Sequence, residues 1–249
     1  MEKRAGYFRI GQITDIHLIV KNDQEDSLQS VESFKKTLED AKKFDLDLLV
    51  FSGDLSEHSY REEYELFFRM IQGYDRPWCF ITGNHENSVE ISKISPVPMA
   101  LKEGNYFYKK DVNGSTIFFL DSSMGIVSKQ QLEWLEQEAA KEKKEVFLFV
   151  HHPPCHCGHL FMESRYALKN LKEVGFVLDR ISNLHAIFVG HYHSAMEVDR
   201  GNGQTVYLTP STQMQLDPDS VDFHILSTVP GWRYIEYRNG KLFTELRYL

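Results

Sequence analysis

The chain has 249 residues, 42% of them hydrophobic, with 28 Lys plus Arg against 36 Asp plus Glu and a formal charge of −8. This is enough for one large α/β domain, and no linker or low-complexity tract divides it, so residues 1–249 are expected to form a single domain. The acidic balance disfavours a duplex nucleic-acid partner, no apolar run approaches the roughly 18 residues of a membrane span, and three cysteines make no disulfide framework. Lys3 and Arg4 precede no apolar stretch long enough for a signal peptide, and a cytoplasmic, reducing location is expected.

Apolar runs alternate along the chain with amphipathic segments. Phe8–Thr14 reads as the first strand, followed by a helical stripe of Leu28, Val31, Phe34, Leu38 and Ala41. Leu48–Ser52 is the second strand, and Tyr64, Phe67, Phe68 and Ile71 mark the second helix. Trp78–Thr82 and Thr116–Leu120 follow, then a helix opening after Ser128 with Leu132, Leu135 and Ala139 on one face. Val146–Val150 precedes a fourth stripe of Leu168, Leu171, Val174, Leu178 and Ile181. Ala186–Val189 and Val206–Thr209 are further strands. Tyr234–Tyr237 and Leu242–Leu246, joined by Asn239-Gly240, read as a hairpin. Most of these runs are continuously apolar, as strands covered on both faces are.

Polar residues collect where the strands end. Asp15 and His17 follow the first run, Gly53-Asp54 the second, Asn84-His85 the third, Asp121 the fourth, His151-His152 the fifth, and His191 and His193 the sixth. In α/β folds the loops beyond the carboxyl ends of strands build the site. If extended, the Asp15/His17 and His191/His193 pairs each face one side of their strand. Carboxylate oxygens and imidazole nitrogens are suitable ligands for zinc, manganese or iron. Each element alone is weak evidence, and the ordered set is strong.

Asp15-Ile16-His17, Gly53-Asp54, Gly83-Asn84-His85, His151-His152-Pro153-Pro154 and Gly190-His191-Tyr192-His193 together resemble the calcineurin-like metallophosphoesterase signature. The resemblance runs from about Phe8 to the C-terminus. Pro210-Ser211-Thr212 with Gln215, and Pro230-Gly231-Trp232-Arg233, look like the class III cyclic nucleotide phosphodiesterases, the bacterial 3′,5′-cyclic AMP phosphodiesterase group.

The resemblance implies a four-layer αββα sandwich of two mixed sheets flanked by helices. It implies two metal ions (Fe, Mn or Zn), one held by Asp15, His17, Asp54 and His193, the other by Asp54, Asn84, His151 and His191. It further implies a metal-bridging hydroxide as nucleophile and His85 as general acid beside the leaving group, with Asn84, His85 and His193 also contacting substrate. Two divalent ions less two Asp charges and one hydroxide leave about one positive charge, complementary to a diester monoanion. His152, His156 and His159 are secondary candidates for substrate contact. Cys155 and Cys157 read as part of a substrate-side loop rather than as ligands. Asp121 reads either as an orienting acceptor for a ligand histidine or as a strand-end turn. Glu86 stands where the family usually has Asp, and reads either as tuning His85 or as a solvated loop residue.

The expected activity is therefore hydrolysis of small phosphodiesters, with 3′,5′-cyclic nucleotides first. The alternatives are a glycerophosphodiesterase or broad phosphodiesterase of the same family and, more remotely, a non-catalytic protein-binding scaffold. Asp54 is followed by Leu55-Ser56-Glu57-His58 rather than an Arg-bearing sequence, which disfavours a protein phosphatase. Oligomeric state is not read from the sequence.

Overall fold

A computed structural model describes residues 6–20 and 24–249, with side chains from Asp26 onward in the second span. Lys3 and Arg4 lie outside the described residues. One sheet has the order β13-β12-β1-β2-β3 and the other β4-β5-β6-β7-β9-β8. The strands of the first are β1 (Phe8–Ile13), β2 (Leu48–Ser52), β3 (Trp78–Ile81), β12 (Gly231–Arg238) and β13 (Lys241–Tyr248). Those of the second are β4 (Tyr108–Val112), β5 (Ser115–Leu120), β6 (Val146–Val150), β7 (Leu184–Val189), β8 (Met196–Asp199) and β9 (Thr205–Leu208). A separate two-stranded ribbon pairs β10 (Gln215–Leu216) with β11 (Ile225–Ser227).

Each large sheet mixes parallel and antiparallel strands: the first is antiparallel at its β12/β13 end and parallel through to the β3 edge, and the second is antiparallel at both edges. β1, β2 and β3 pair parallel, as do β5, β6 and β7, so the carboxyl ends of each trio lie along one edge of its sheet. Alternation along these strands divides the core in two directions. Phe8, Ile10, Val50 and Ile81 meet Ile117, Phe119, Phe147 and Phe188 between the sheets. The opposite faces bury Phe51 and Phe80 against Phe34 and Phe67, and Leu148 and Val150 against Leu132 and Leu178. The helices carrying those residues are α1 (Gln24–Ala41) and α2 (Arg61–Ile71) on one side, α4 (Lys129–Ala139) and α6 (Leu171–Arg180) on the other. Helix, sheet, sheet and helix make four layers, in agreement with the expected architecture. Two short helices, α3 (Ser88–Ser92) and α5 (Leu160–Tyr166), sit in the loops at the site end.

Most strand boundaries fall within two residues of those read from the apolar runs. β4 and β8 escape that reading because they are edge strands with polar outer positions, Lys109, Lys110 and Asp111 in one and Glu197 in the other. Leu28 is a correction: it is 67% exposed, and the buried face of α1 is Ser30, Phe34, Thr37, Leu38 and Ala41. At 100° per residue Leu28 lies about 120° round the helix from Phe34. The hairpin turn is as expected, with Asn239 and Gly240 both at positive φ (54° and 74°), which a tight two-residue turn requires.

Asp40 ties α1 to the C-terminal hairpin. Its buried carboxylate accepts from Trp232 Nε1 at 3.1 Å and Arg247 Nε at 3.4 Å, with Lys43 at 3.0 Å. Burial alone would raise this carboxyl, but the hydrogen bonds from Lys43, Trp232 and Arg247 outweigh it and hold the group below its usual range. The stabilisation is present above the unfolded pKa of about 3.9 and is lost as pH falls through the lower folded value. Asp40→Asn should therefore cost about 1–2 kcal/mol at neutral pH, read by urea denaturation, with the difference from the parent shrinking below about pH 4. An equal difference at pH 3 and pH 7 would contradict a charge-based role.

Candidate metal centre

The strand ends bring two clusters of acidic and imidazole groups together. Asp15, His17 and His193 form one, and Asp54, His151 and His191 the other, the ligand atoms of each lying within 4.8 Å of one another; His17 and Asp54 group with His85 at the same spacing and link the two. Asn84 and His85 line the same cleft, and all of these residues except His85 and Asn84 are buried.

The backbone is bent to aim them. Asp15, His17, Asp54, His191 and His193 all have positive φ, between 46° and 69°. Left-handed backbone disfavours most L-residues, with Asn, Asp and His enriched among the exceptions. This corrects the expectation of extended Asp15/His17 and His191/His193 pairs. β1 ends at Ile13 and β7 at Val189, and successive left-handed turns, not pleat alternation, set each pair on one side. Two glycines permit the closeness: a Cβ on Gly83 would lie 2.2 Å from Asp54 Oδ1, and one on Gly190 would lie 2.1 Å from Thr14 Oγ1.

Three of the four imidazoles, His17, His151 and His191, are fixed through one nitrogen and offer the other, while buried His193 Nδ1 has no hydrogen-bond partner. His17 Nδ1 is 2.6 Å from Glu57 Oε2. His151 Nδ1 donates to Ser52 O at 2.8 Å, and His191 Nε2 donates to Tyr166 O at 2.9 Å. Partners of this kind select the tautomer that leaves the other lone pair for an ion. His17 Nε2 and His193 Nε2 are 3.1 Å apart, His193 Nε2 is 3.4 Å from Asp15 Oδ1, and His151 Nε2 is 3.1 Å from Asp54 Oδ2. An ion with ligands at about 2.0–2.2 Å has neighbouring ligand atoms about 3–3.6 Å apart. Buried His151 Nε2 makes no hydrogen bond, a lone pair that ligation would satisfy. The residues fit divalent metal ions.

The titration pattern points the same way. Burial raises Asp15, against the pull of His151. Burial also opposes ionisation of Asp54, but the charge of His151 prevails and holds Asp54 well below the usual range. Burial would lower His17 and His151, yet Glu57 and Asp54 carry His17 up to about 9, and Asp54 carries His151 up to about 9. Burial and His151 hold His191 down at about 3. The carboxylates thus make a buried site that attracts positive charge, with His17 and His151 drawn toward the cationic form and His191 and His193 held neutral, mainly by burial.

Sequence reasoning missed Glu57. Its carboxylate holds His17, and its backbone carbonyl accepts His85 Nδ1 at 2.7 Å. Its place three residues after Asp54 was the available signal. Glu86 is not a solvated loop residue. It is buried, and its carboxylate accepts from Leu55 N at 2.8 Å, Ser56 N at 3.0 Å and Gly83 N at 2.8 Å, locking the Asp54 loop to the Asn84-His85 loop. Burial and Asp54 push it up to about 7.

Other expected residues lie elsewhere. Asp121 is a turn anchor, accepting from Tyr106 N and Ser88 Oγ at 2.8 Å. His152 is buried behind His191, bonded to Ser122 Oγ at 2.8 Å. His156 is exposed beside Glu163, and His159 is buried as the cap of α5. The structure therefore does not bring these three histidines to the cleft wall. Cys155 and Cys157 pack against the α4/α6 core rather than lining the cleft, which corrects the substrate-side reading of their loop. A Cys155→Ser, Cys157→Ser double variant should keep the full metal content of the parent by elemental analysis; loss of one equivalent would place a thiolate in the ligand set.

The two C-terminal blocks brace the centre. Ser211 Oγ and Thr212 Oγ1 donate to Asp15 O at 2.9 and 3.3 Å, and Gln213 Nε2 donates to Ile16 O at 2.7 Å. Trp232 and Arg233 are fully buried, and Arg233 donates to Leu208 O at 2.8 Å and Thr209 Oγ1 at 3.2 Å.

Paired acidic–imidazole clusters at the strand ends of a four-layer sandwich define a metal-dependent phosphoesterase. The calcineurin-like phosphoesterase profile matches residues 8–195, and the chain belongs to that family, whose members use a dinuclear metal centre. It is 44% identical, over 99% of its length and 94% of the relative's, to a probable cyclic nucleotide phosphodiesterase of Fibrobacter succinogenes. It is 29% identical to the 3′,5′-cyclic adenosine monophosphate phosphodiesterase CpdA of Escherichia coli K12, covering 97% of this chain and 90% of that one. A dimetal phosphatase from Danio rerio shares the fold, with a TM-score of 0.69 at 14% identity over 95% of this chain and 98% of that chain. No helix among the described residues is long and apolar enough to cross a membrane.

Proposed function

We propose that the chain, acting as one domain, hydrolyses 3′,5′-cyclic nucleotides, cyclic AMP first, to nucleoside monophosphates. The observation that carries this is the convergence of the two clusters beside His85 in one cleft. The substrate class comes from the names of relatives up to 44% identical over nearly the whole chain. Asp15, His17, Asp54 and His193 would hold one ion, and Asp54, Asn84, His151 and His191 the other. The donor set suits iron, manganese or zinc. Three free cysteines, with no disulfide among them, suit a reducing compartment, and the cytoplasm is the proposed location.

Two bound divalent ions would supply an activated water at neutral pH and positive charge opposite the phosphoryl oxygens. The protein's own part is orientation. Glu57, Ser52 O and Tyr166 O hold three ligand rings in one tautomer each. Asn84, which lines the same cleft, would add an amide oxygen without adding negative charge. The Glu57 carbonyl accepts from His85 Nδ1, so Nε2 would give a proton to the departing ribose oxygen from the imidazolium, in which both ring nitrogens are protonated.

The deciding experiment is a substrate panel on metal-loaded protein. Cyclic AMP should be opened to AMP with no release of inorganic phosphate, and phosphomonoesters should be much poorer substrates. A far higher kcat/KM for glycerophosphocholine or glycerophosphoethanolamine than for any cyclic nucleotide would replace this reading with a glycerophosphodiesterase.

A further inference from the structure

The cleft over the two clusters has a volume of about 660 Å³ and a second wall of opposite character. Phe161, Met162 and Tyr166 of α5 form one half of that wall, and Met214, Phe223 and Ile225 form the other. No Lys or Arg is among the described residues lining the cleft.

The wall is built into the site. Tyr166, through its carbonyl, holds His191, and Leu216 N donates to His193 O at 2.8 Å, so each half is bonded to a candidate ligand. The halves are joined to each other by Leu160 N donating to Pro218 O at 2.9 Å and Arg165 Nη1 donating to Val221 O at 3.2 Å. The Arg165 guanidinium also lies over the Phe161 ring, 4.5 Å from its centroid. The Phe161 ring centroid is 5.7 Å from that of Phe223 and 6.0 Å from that of Tyr166. Tyr166 and Phe223 remain 51% and 56% exposed, leaving aromatic surface open to water at the cleft.

A diester whose phosphate sits at the clusters must place its organic part elsewhere in this cleft. A second phosphate would find no cationic side chain among the described lining residues, and a small polyol would leave the aromatic surface wet. A planar heterocycle would cover it, since base–aromatic stacking uses the π-face that every base has. We propose that Phe161, Tyr166 and Phe223 form the surface on which the nucleobase lies, with Arg165 as the residue that positions Phe161. This inference rests on the cyclic nucleotide reading above. Stacking is tolerant of base identity, so discrimination between adenine and guanine should be slight.

The test compares cyclic AMP with ribose 3′,5′-cyclic phosphate, which has the same ester and no base. In a Phe161→Ala, Phe223→Ala variant, kcat/KM for cyclic AMP should fall about tenfold or more, the scale of one lost stacking platform. The abasic ester should be turned over as in the parent, at unchanged metal content. Phe161→Leu, Phe223→Leu, which keeps bulk and removes the rings, should show the same selective loss. Arg165→Ala should raise KM for cyclic AMP while leaving kcat and the abasic ester unaffected. An equal fall on both esters, or no fall on either, would overturn the base wall while leaving the cyclic nucleotide reading intact. If the parent opens neither ester but cleaves other diesters, the cyclic nucleotide reading itself fails, and the wall with it.

Discussion

Asp54→Asn should remove both bound metals and nearly all diesterase activity while leaving the protein folded. Asp54 groups with His151 and His191 and also with His17 and His85, its Oδ2 lying 3.7 Å from His17 Nε2, so its carboxylate is the group placed between the two clusters. Losing a residue that merely orients a ligand costs about 10–100-fold in metal affinity, and losing a shared carboxylate should cost more than that in kcat/KM. Asparagine is the better probe than alanine for two reasons. It tolerates the left-handed backbone at this position (φ 51°). It can also still accept the His85 N–H, which Asp54 Oδ1 takes at 3.0 Å. Metal content by elemental analysis and a normal melting transition after chelation of both proteins are the readouts. Full activity in metal-free Asp54→Asn protein would sink the two-metal reading.

His85→Ala should do the reverse, keeping the metals and losing the chemistry. His85 is 31% exposed in its side chain and lines the cleft, with its Nδ1 held by the Glu57 carbonyl. Its ring lies 4.7 Å from that of His17 and within ligand reach of His17 and Asp54, so retained metal content is what separates a leaving-group role from a ligand role. With a poor alkoxide leaving group, as in a cyclic nucleotide, kcat should fall by roughly 10²–10⁴, the range for a lost general acid. With a nitrophenolate leaving group the fall should be smaller, because that oxygen leaves without a proton. The ratio of the two losses is the measurement. A ratio near one would argue for positioning or electrostatics in place of proton donation.

The strands and the site residues were legible for the same physical reason. Strands buried on both faces must be nearly all apolar, so a polar residue such as Asp15 or His151 at the end of such a run stands out. What could not be read was anything set by the backbone between those residues. The left-handed turns at His17 and His193 leave no periodic trace, and the sequence suggested extended pairs in their place. Glu57 and Glu86 look like ordinary loop acids, because what distinguishes them is a partner distant in sequence: His17, 40 residues away, and Ser56 N, 30 residues away. The edge strands β4 and β8 carry the polar residues that keep edges from pairing, and so resemble loops. His159 shows the opposite error. It reads as a secondary candidate for substrate contact, yet its ring is buried in capping α5.

The bond from His191 N to the Asp15 carboxylate, 3.0 Å long, spans 176 residues of chain. The centre is thus assembled from the two ends of the family-matched region, and no shorter piece of the polypeptide contains it. During synthesis the first sheet's ligands emerge long before their partners, and the hydrolase cannot come into being until β7 has left the ribosome. Since the unfolded chain has no comparable site, ions that bind the finished one shift the folding equilibrium by mass action, more so the higher their free concentration. Metal supply would then govern not only how fast each molecule works but how many molecules survive.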